Sequence, residues 1–298
     1  MRGGRLSRPA RTVSFASPIH QTGGRQAAFL MATKMKYNMT GKLSRKQYAQ
    51  LVVVVLCAGL VKFYYSTASV NELRWILAPT KVLVEFITGK SFAFEAYTGY
   101  MSSDHTFVIA ASCAGVNFLI TAFLMLSLRK IWRERAKESS WSLIANTAAI
   151  AYLVTLIANT ARISLAVVLL KRPLHIGLSP DQLHRFEGVF VYFAVLLLLF
   201  LISERLSDRM GDKPRLSYEG LPNRFRLFRR SLFPLLVYYT VTLGIPIANG
   251  AYKQGSNFTE HAVFVLVVPL LLLLPVMMLQ FVKTRAACEA RVSVKPEA

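Results

Sequence analysis

Stretches of apolar residues long enough to cross a lipid bilayer are the feature that most restricts how this chain can fold. The runs from Leu196 to Ile202 and from Leu266 to Leu279 lie within stretches that approach the length of a membrane span. A helix needs about 20 such residues to cross roughly 30 Å of hydrocarbon, and 54% of this chain is hydrophobic. We therefore predict an all-α integral membrane protein.

Six stretches have the length and apolar character of membrane spans. They cover residues 49–66, 106–128, 142–170, 184–203, 233–251 and 262–282. Because further apolar segments lie between them, we predict a polytopic bundle of about six to eight transmembrane helices.

The segment 75–89 is apolar but too short to span the membrane unaided. It includes Lys81 and Glu85, so we predict an interfacial or re-entrant helix there. Residues 91–95 alternate between apolar and polar side chains, as in a short strand. Together these segments predict a small cap on the outer surface, within residues 67–105.

The net charge of +21 alone would suit a nucleic-acid binder, but the basic residues lie between the apolar stretches and favour one membrane orientation. The segments predicted to be cytoplasmic hold 27 Lys and Arg residues, and those predicted to be outside hold 7. The cytoplasmic set is 1–50, 129–141, 204–232 and 283–298, and the outer set is 67–105, 171–185 and 252–261. Both termini are therefore predicted to be cytoplasmic, with no nucleic-acid partner.

Composition divides the chain into five regions. Residues 1–45 form a basic tail, predicted to be disordered; its first 30 residues are rich in Arg and Ser without any acid, which is typical of a transit peptide or of a start site placed too early. Residues 46–205 hold the membrane core, and 206–232 form a basic cytoplasmic loop. Two C-terminal spans occupy 233–282, and 283–298 form a cytoplasmic tail.

Arg162 is the residue that most needs an explanation, because a charge within a span costs about 2.5–3.5 kcal/mol on insertion scales. Asn159 precedes it by three residues and therefore lies on the same helix face. This polar stripe must face protein or water. A helix-packing contact is the non-functional alternative.

Cys113 lies in the sequence Ala-Ser-Cys-Ala-Gly-Val-Asn, residues 111–117. If the span begins near Thr106, Cys113 lies about 10 Å inside it, and Asn117 lies one turn further along the same face. Small neighbours, including Gly115, would let a peptide approach. A small apolar filler is the alternative for a lone cysteine in a span, and Cys57 fits that description.

His184 follows a helix start signal. Ser179 and Gln182 have the spacing of a capping box, with Pro180 at the first helical position. The helix is therefore predicted to place His184 about 7 Å beyond the cap. Gly188, one turn further, leaves room beside the ring. An ordinary interfacial histidine is the alternative.

Cys113, Arg162 and His184 are thus predicted at one depth on three separate spans. A histidine can take the thiol proton, and a permanently charged arginine can stabilise the oxyanion of an acyl-transfer intermediate. His105 and His175 are predicted not to be the base. No spacing typical of a zinc site or a phosphate loop occurs, and Cys57, Cys113 and Cys288 form no disulfide pattern, so no cofactor is expected.

The ordered set Cys113-Ala-Gly115, Asn159-x-x-Arg162 and His184 with Gly188 resembles the exosortase/archaeosortase family, and the compact chain is similar to its exosortase K branch. The resemblance covers about residues 45–205. It implies a thiol peptidase or transpeptidase of the inner membrane, active on the periplasmic side. The implied substrates are exported proteins whose C-terminal sorting signal joins a short motif, a transmembrane helix and a basic tail, and the implied product is their transfer to an acceptor.

Two other classes of function remain open from the sequence. A transporter could use Arg162 and Asn159 as a substrate site, although no pair of broken helices is evident. A non-catalytic assembly factor for envelope or exopolysaccharide export would tolerate loss of the Cys113 sulfur.

Overall fold

The computed structural model describes residues 43–133, 140–171, 179–209 and 226–292. The described part of the chain is built from α-helices and one small sheet. In chain order the elements are α1 (Arg45–Thr67), α2 (Arg74–Thr88), β1 (Phe92–Glu95), β2 (Gly99–Ser102), β3 (Val108–Ile109), a 3₁₀ turn (Ala111–Ala114), α3 (Val116–Arg133), α4 (Ser142–Lys171), α5 (Pro180–Arg209), α6 (Arg226–Tyr239), a π turn (Thr240–Gly244), α7 (Ile245–Ala248), a second 3₁₀ turn (Ala251–Gln254) and α8 (Ser256–Val292).

Six helical stretches are long and apolar enough to cross a membrane. They are Arg45–Thr67, Ala111–Arg133, Ser142–Leu169, Gln182–Ser207, Ser231–Ala248 and Phe258–Pro275. The predicted all-α polytopic membrane protein is therefore confirmed. Many large apolar side chains on these helices face outward, including Phe63 and Leu274, as expected where lipid rather than water surrounds the bundle.

The second span begins later than predicted. Residues 108–109 form a strand and the 3₁₀ turn follows, so helix α3 starts only at Val116. Apolar content alone cannot separate a short buried strand from the first turn of a helix, which is why the prediction of a span from Thr106 was wrong.

Antiparallel strands β1, β2 and β3 form a three-stranded sheet in that order. The predicted strand at 91–95 is confirmed as β1. Lys90 donates to Asp104 at 2.6 Å, and this hydrogen bond, with those from Ser102 and Thr106, holds the pKa of the Asp104 carboxyl well below its usual range.

Helix α2 is confirmed as a helix, and it joins the sheet to the bundle. The Glu85 carboxylate accepts from the backbone N–H of Phe92 at 2.7 Å. Although burial opposes the charge, this bond and the Lys81 ammonium lower the pKa of Glu85. At its other end Trp75 stacks on Tyr152 of α4, with ring centroids 5.8 Å apart.

An ion cluster links α3 to α5 at the end of the bundle opposite the sheet. The Glu204 carboxylate accepts from Arg129 Nε at 2.6 Å and from Arg133 Nη1 at 3.3 Å. These side chains are only 10–14% exposed. Arg129 also donates to the Ser203 carbonyl at 3.0 Å. The cluster therefore fixes the position of α3 along the axis of α5.

We expect Glu204→Ala to lower the free energy of unfolding by about 3–5 kcal/mol, because it leaves two guanidinium groups without their common carboxylate. The measurement is denaturant unfolding in detergent micelles, followed by circular dichroism. Glu260→Ala is the matched control: its pair with Arg185 is long, at 3.6 Å, and Glu260 is 48% exposed, so the loss should stay below about 1 kcal/mol. Equal losses in both variants would contradict a special role for the cluster.

Candidate active site

Three segments bring the predicted site residues together. The 3₁₀ turn before α3 holds Cys113, helix α4 holds Asn159 and Arg162, and helix α5 holds His184. The capping box predicted for α5 is confirmed, since Ser179 Oγ accepts from the Gln182 N–H at 3.2 Å while Gln182 accepts from the Ser179 N–H at 3.1 Å.

A hydrogen-bonded path connects the three candidate catalytic residues. Asn159 Nδ2 donates to the Cys113 carbonyl oxygen, and Tyr192 Oη donates to Asn159 Oδ1 at 2.9 Å. Arg162 then bridges two partners, with Nη1 donating to Tyr192 Oη at 3.2 Å and Nη2 lying 2.8 Å from His184 Nε2. The path thus runs from the cysteine backbone through α4 and α5 to the histidine ring.

Burial falls along this path. Asn159 is fully buried and Cys113 is 6% exposed, whereas Arg162, His184 and Tyr192 are all partly exposed. The site is therefore a buried cysteine and amide next to a partly exposed arginine and histidine, with the Nε atom of Arg162 itself buried.

Cys113 does not lie in the regular helix that the sequence predicted. It occupies the 3₁₀ turn, at the start of the span rather than 10 Å inside it, and Gly115 follows in the left-handed region with φ of 70°. A side chain strongly disfavours that backbone conformation. A Cβ at Gly115 would also lie 3.2 Å from Asn159 Cγ and 3.3 Å from Tyr192 Oη, so glycine is needed for both reasons.

Gly188 provides the space for Arg162. A Cβ at this position would lie 3.1 Å from Arg162 Nε, which means that the arginine side chain rests directly on the backbone of α5. The room predicted beside His184 is thus occupied by the guanidinium stem. A side chain at position 188 would require Arg162 to shift by a few tenths of an ångström.

The Arg162–His184 contact defines the histidine tautomer. A guanidinium can only donate hydrogen bonds, so His184 Nε2 must be the acceptor and carries no proton in this arrangement. A neutral ring then has its proton on Nδ1. For Nε2 to take a proton from the thiol, Arg162 must first give up this bond.

Asn117 is not part of the path. With Cys113 in a separate turn, the helical spacing that placed Asn117 on the same face does not apply. Its Oδ1 instead accepts from Lys62 Nζ of α1 at 2.7 Å. His105 lies in the turn between β2 and β3 with φ of 53°. His175 lies outside the described residues.

Tyr192 is the site residue that the sequence analysis missed. Its ring stacks on Phe118 with centroids 5.0 Å apart, and its hydroxyl bridges Asn159 and Arg162. A phenol within an otherwise apolar span needs a hydrogen-bond partner. Tyr192 is eight residues beyond His184 in the sequence, and its need for a hydrogen-bond partner could have identified it as a site residue.

Glu187 was also overlooked. It is 3% exposed and interacts electrostatically with Arg162, so a second titratable side chain lies within the same part of the bundle. Arg162 Nε and Glu187 Oε1 are both buried without a hydrogen-bond partner in the structure.

Comparison with known proteins adds no relative. No family model, curated protein or solved structure matches this chain.

Proposed function

We propose that this chain is an exosortase-type cysteine peptidase or transpeptidase embedded in the inner membrane. The observation that carries the proposal is the hydrogen-bonded path, which links a cysteine, an arginine and a histidine from three separate segments of a membrane bundle. If these residues only stabilised the fold, the Arg162 guanidinium would not need to contact a histidine whose ring is partly exposed.

The proposed reaction is acyl transfer through a thioester. His184 Nε2 takes the proton of the Cys113 thiol, and the sulfur attacks the scissile carbonyl carbon. The carbonyl π electrons move to oxygen, where the Arg162 guanidinium stabilises the oxyanion. When the C–N bond breaks, His184 returns its proton to the leaving amine. An acceptor nucleophile or water then releases the acyl group and regenerates the thiol.

Substrate binding would also release His184 Nε2 from its hydrogen bond with Arg162. A substrate carbonyl oxygen near Arg162 Nη2 offers the guanidinium a competing acceptor. Once Nη2 turns to the substrate, Nε2 is free to take the thiol proton. In this proposal the Arg162–His184 bond belongs to the resting enzyme, and the path through Tyr192 and Asn159 keeps Arg162 in place during the exchange.

The proposed substrates are membrane-anchored proteins with the tripartite C-terminal sorting signal, cleaved on the periplasmic side. The direct test is co-expression of such a protein with the full chain. A shortened product should appear with the chain and not with an empty vector. Unchanged substrate in the presence of correctly inserted chain would count against the activity.

Orientation is testable separately. The 27-to-7 distribution of basic residues favours cytoplasmic termini and a periplasmic sheet and site. Reporter fusions after Lys137 and after Lys283 should report the cytoplasm, and a fusion after Lys253 should report the periplasm. The inverse pattern would put the candidate site on the wrong side for an exported substrate.

Tyr192→Phe should slow processing roughly tenfold, because it removes the bridge between Asn159 and Arg162 and leaves a buried amide oxygen unsatisfied, at about 1–3 kcal/mol. The measurement is the initial rate of substrate shortening at matched enzyme levels. Tyr239→Phe is the control, since that hydroxyl bonds the Leu266 carbonyl at 2.8 Å, outside the path. A normal rate in Tyr192→Phe would show that Arg162 needs no support from the path.

A further inference from the structure

An apolar cavity of about 540 Å³ lies among α1, α2, α3 and α4. Small side chains on α1 and α4 create the space, notably Ala58, Ala145 and Ala148. The Tyr152 hydroxyl in its wall is already satisfied, because it donates to the Trp75 carbonyl oxygen at 2.9 Å. The cavity therefore offers an occupant mainly apolar contacts.

The cavity is long enough to hold part of an acyl tail. Its wall on the α4 side runs from Trp141 to Tyr152, which is about 16 Å at 1.5 Å per residue. A single hydrocarbon tail could lie along a wall of this length and would make the apolar contacts that the lining offers.

A cation lies next to this cavity. Lys62 lies one turn beyond the lining residue Ala58 on the same face of α1. Its Nζ donates to Asn117 Oδ1 and lies 5.7 Å from the centre of the Tyr65 ring. Among the residues that the structure describes, no carboxylate pairs with Lys62. An ammonium has three N–H donors, and Asn117 takes one of them.

The level of Lys62 relative to the cavity follows from a contact at the other end of α1. Gln50 Nε2 donates to the Ser140 carbonyl at 3.1 Å, just before α4 begins. Lys62 is 12 residues further along α1, or about 18 Å higher. The ammonium is therefore near the end of the cavity closer to the sheet, with the apolar wall extending away from it.

From this arrangement we infer a binding site for an anionic phospholipid, with its phosphate at Lys62 and one acyl tail in the cavity. Phosphate oxygens supply acceptors for the two remaining ammonium donors and neutralise a charge that is costly within a span. Asn117 holds the ammonium at this level, so the lysine is not free to extend fully towards the interface. The inference does not rest on the proposed peptidase activity.

The test uses tryptophan fluorescence, because Trp75 and Trp141 line the cavity. Full-length protein carrying Trp132→Phe, which removes the third tryptophan, is reconstituted into phosphatidylcholine vesicles. A small fraction of a lipid with brominated tails is then added as quencher. This lipid is either phosphatidylglycerol or phosphatidylcholine, and both are used at the same fraction. Binding at the site should make brominated phosphatidylglycerol about fivefold more effective than phosphatidylcholine at low fractions, the preference expected from one basic residue.

Two variants locate the headgroup and the tail. Lys62→Gln keeps a donor for Asn117 but loses the charge, and should abolish the preference for phosphatidylglycerol. Ala148→Leu narrows the cavity and should weaken quenching by both lipids. Lys81→Gln is the control, since Lys81 is paired with Glu85 at 2.8 Å, and its preference should match that of the parent.

Each alternative has its own result. Equal quenching by the two lipids in the parent protein would mean that the tryptophans contact bulk lipid without selection, and would overturn the proposed binding site. A preference that survives Lys62→Gln would overturn the placement of the phosphate. Absence of quenching by either lipid would indicate that a protein segment closes the cavity. Circular dichroism melts of each variant verify that the bundle is intact.

Discussion

Replacement of Cys113 by Ala should abolish shortening of a co-expressed substrate, by roughly 10³-fold or more, because no other group in the path can form the thioester. Cys113→Ser should also be severely impaired, since a hydroxyl is far harder to ionise than a thiol. The fold should survive both changes. The structural contact of Cys113 is its backbone carbonyl, which accepts from Asn159 and is retained in each variant.

Cys57→Ala is the matched control for this experiment. Cys57 is a partly buried free cysteine in α1 that lines the apolar cavity, and its loss should leave processing unchanged. Enzyme levels in the membrane fraction are compared by immunoblot. Processing at the wild-type rate by a stably inserted Cys113→Ala protein would remove the nucleophile and the peptidase proposal with it.

Arg162→Ala should reduce the rate of processing by about 10²–10³-fold, the range seen when an oxyanion donor is lost. His184→Ala should reduce it by about 10²–10⁴-fold, the range for a general acid–base group. The double variant should be little worse than either single one, because residues that act as a unit are strongly non-additive. Arg162→Lys should also be poor. An ammonium lacks the planar fork with which Arg162 contacts Tyr192 and His184 together.

His105→Ala is the control for the histidine, because His105 lies in the turn between β2 and β3 and should be dispensable. Rates are taken from time courses at equal enzyme levels, and folding is monitored by thermal melts in detergent. Two outcomes would contradict the assignment: a double variant whose loss equals the product of the single losses, or a His105→Ala protein as inactive as His184→Ala.

Sequence alone determined the features that depend on local composition. Apolar stretches near 20 residues predict spans wherever the solvent is hydrocarbon, because every backbone polar group must be satisfied within the helix. The Ser179–Gln182 capping box predicted where α5 begins, and the three-residue spacing of Asn159 and Arg162 placed both on one face. Each of these rules depends only on residues that are close to one another in the sequence.

Tertiary structure decided what depends on contacts between segments distant in the sequence. Only the packing of α4 against α5 brings Tyr192 between Asn159 and Arg162, 33 and 30 residues apart in the chain. The pairing of β2 with β3 holds residues 108 and 109 in a strand, and Cys113 lies in the 3₁₀ turn that follows. Helix α1 packs where Lys62 can donate a hydrogen bond to Asn117, so Asn117 is not part of the candidate active site. Helical periodicity describes one helix, and it contains no information about which neighbour satisfies a polar side chain.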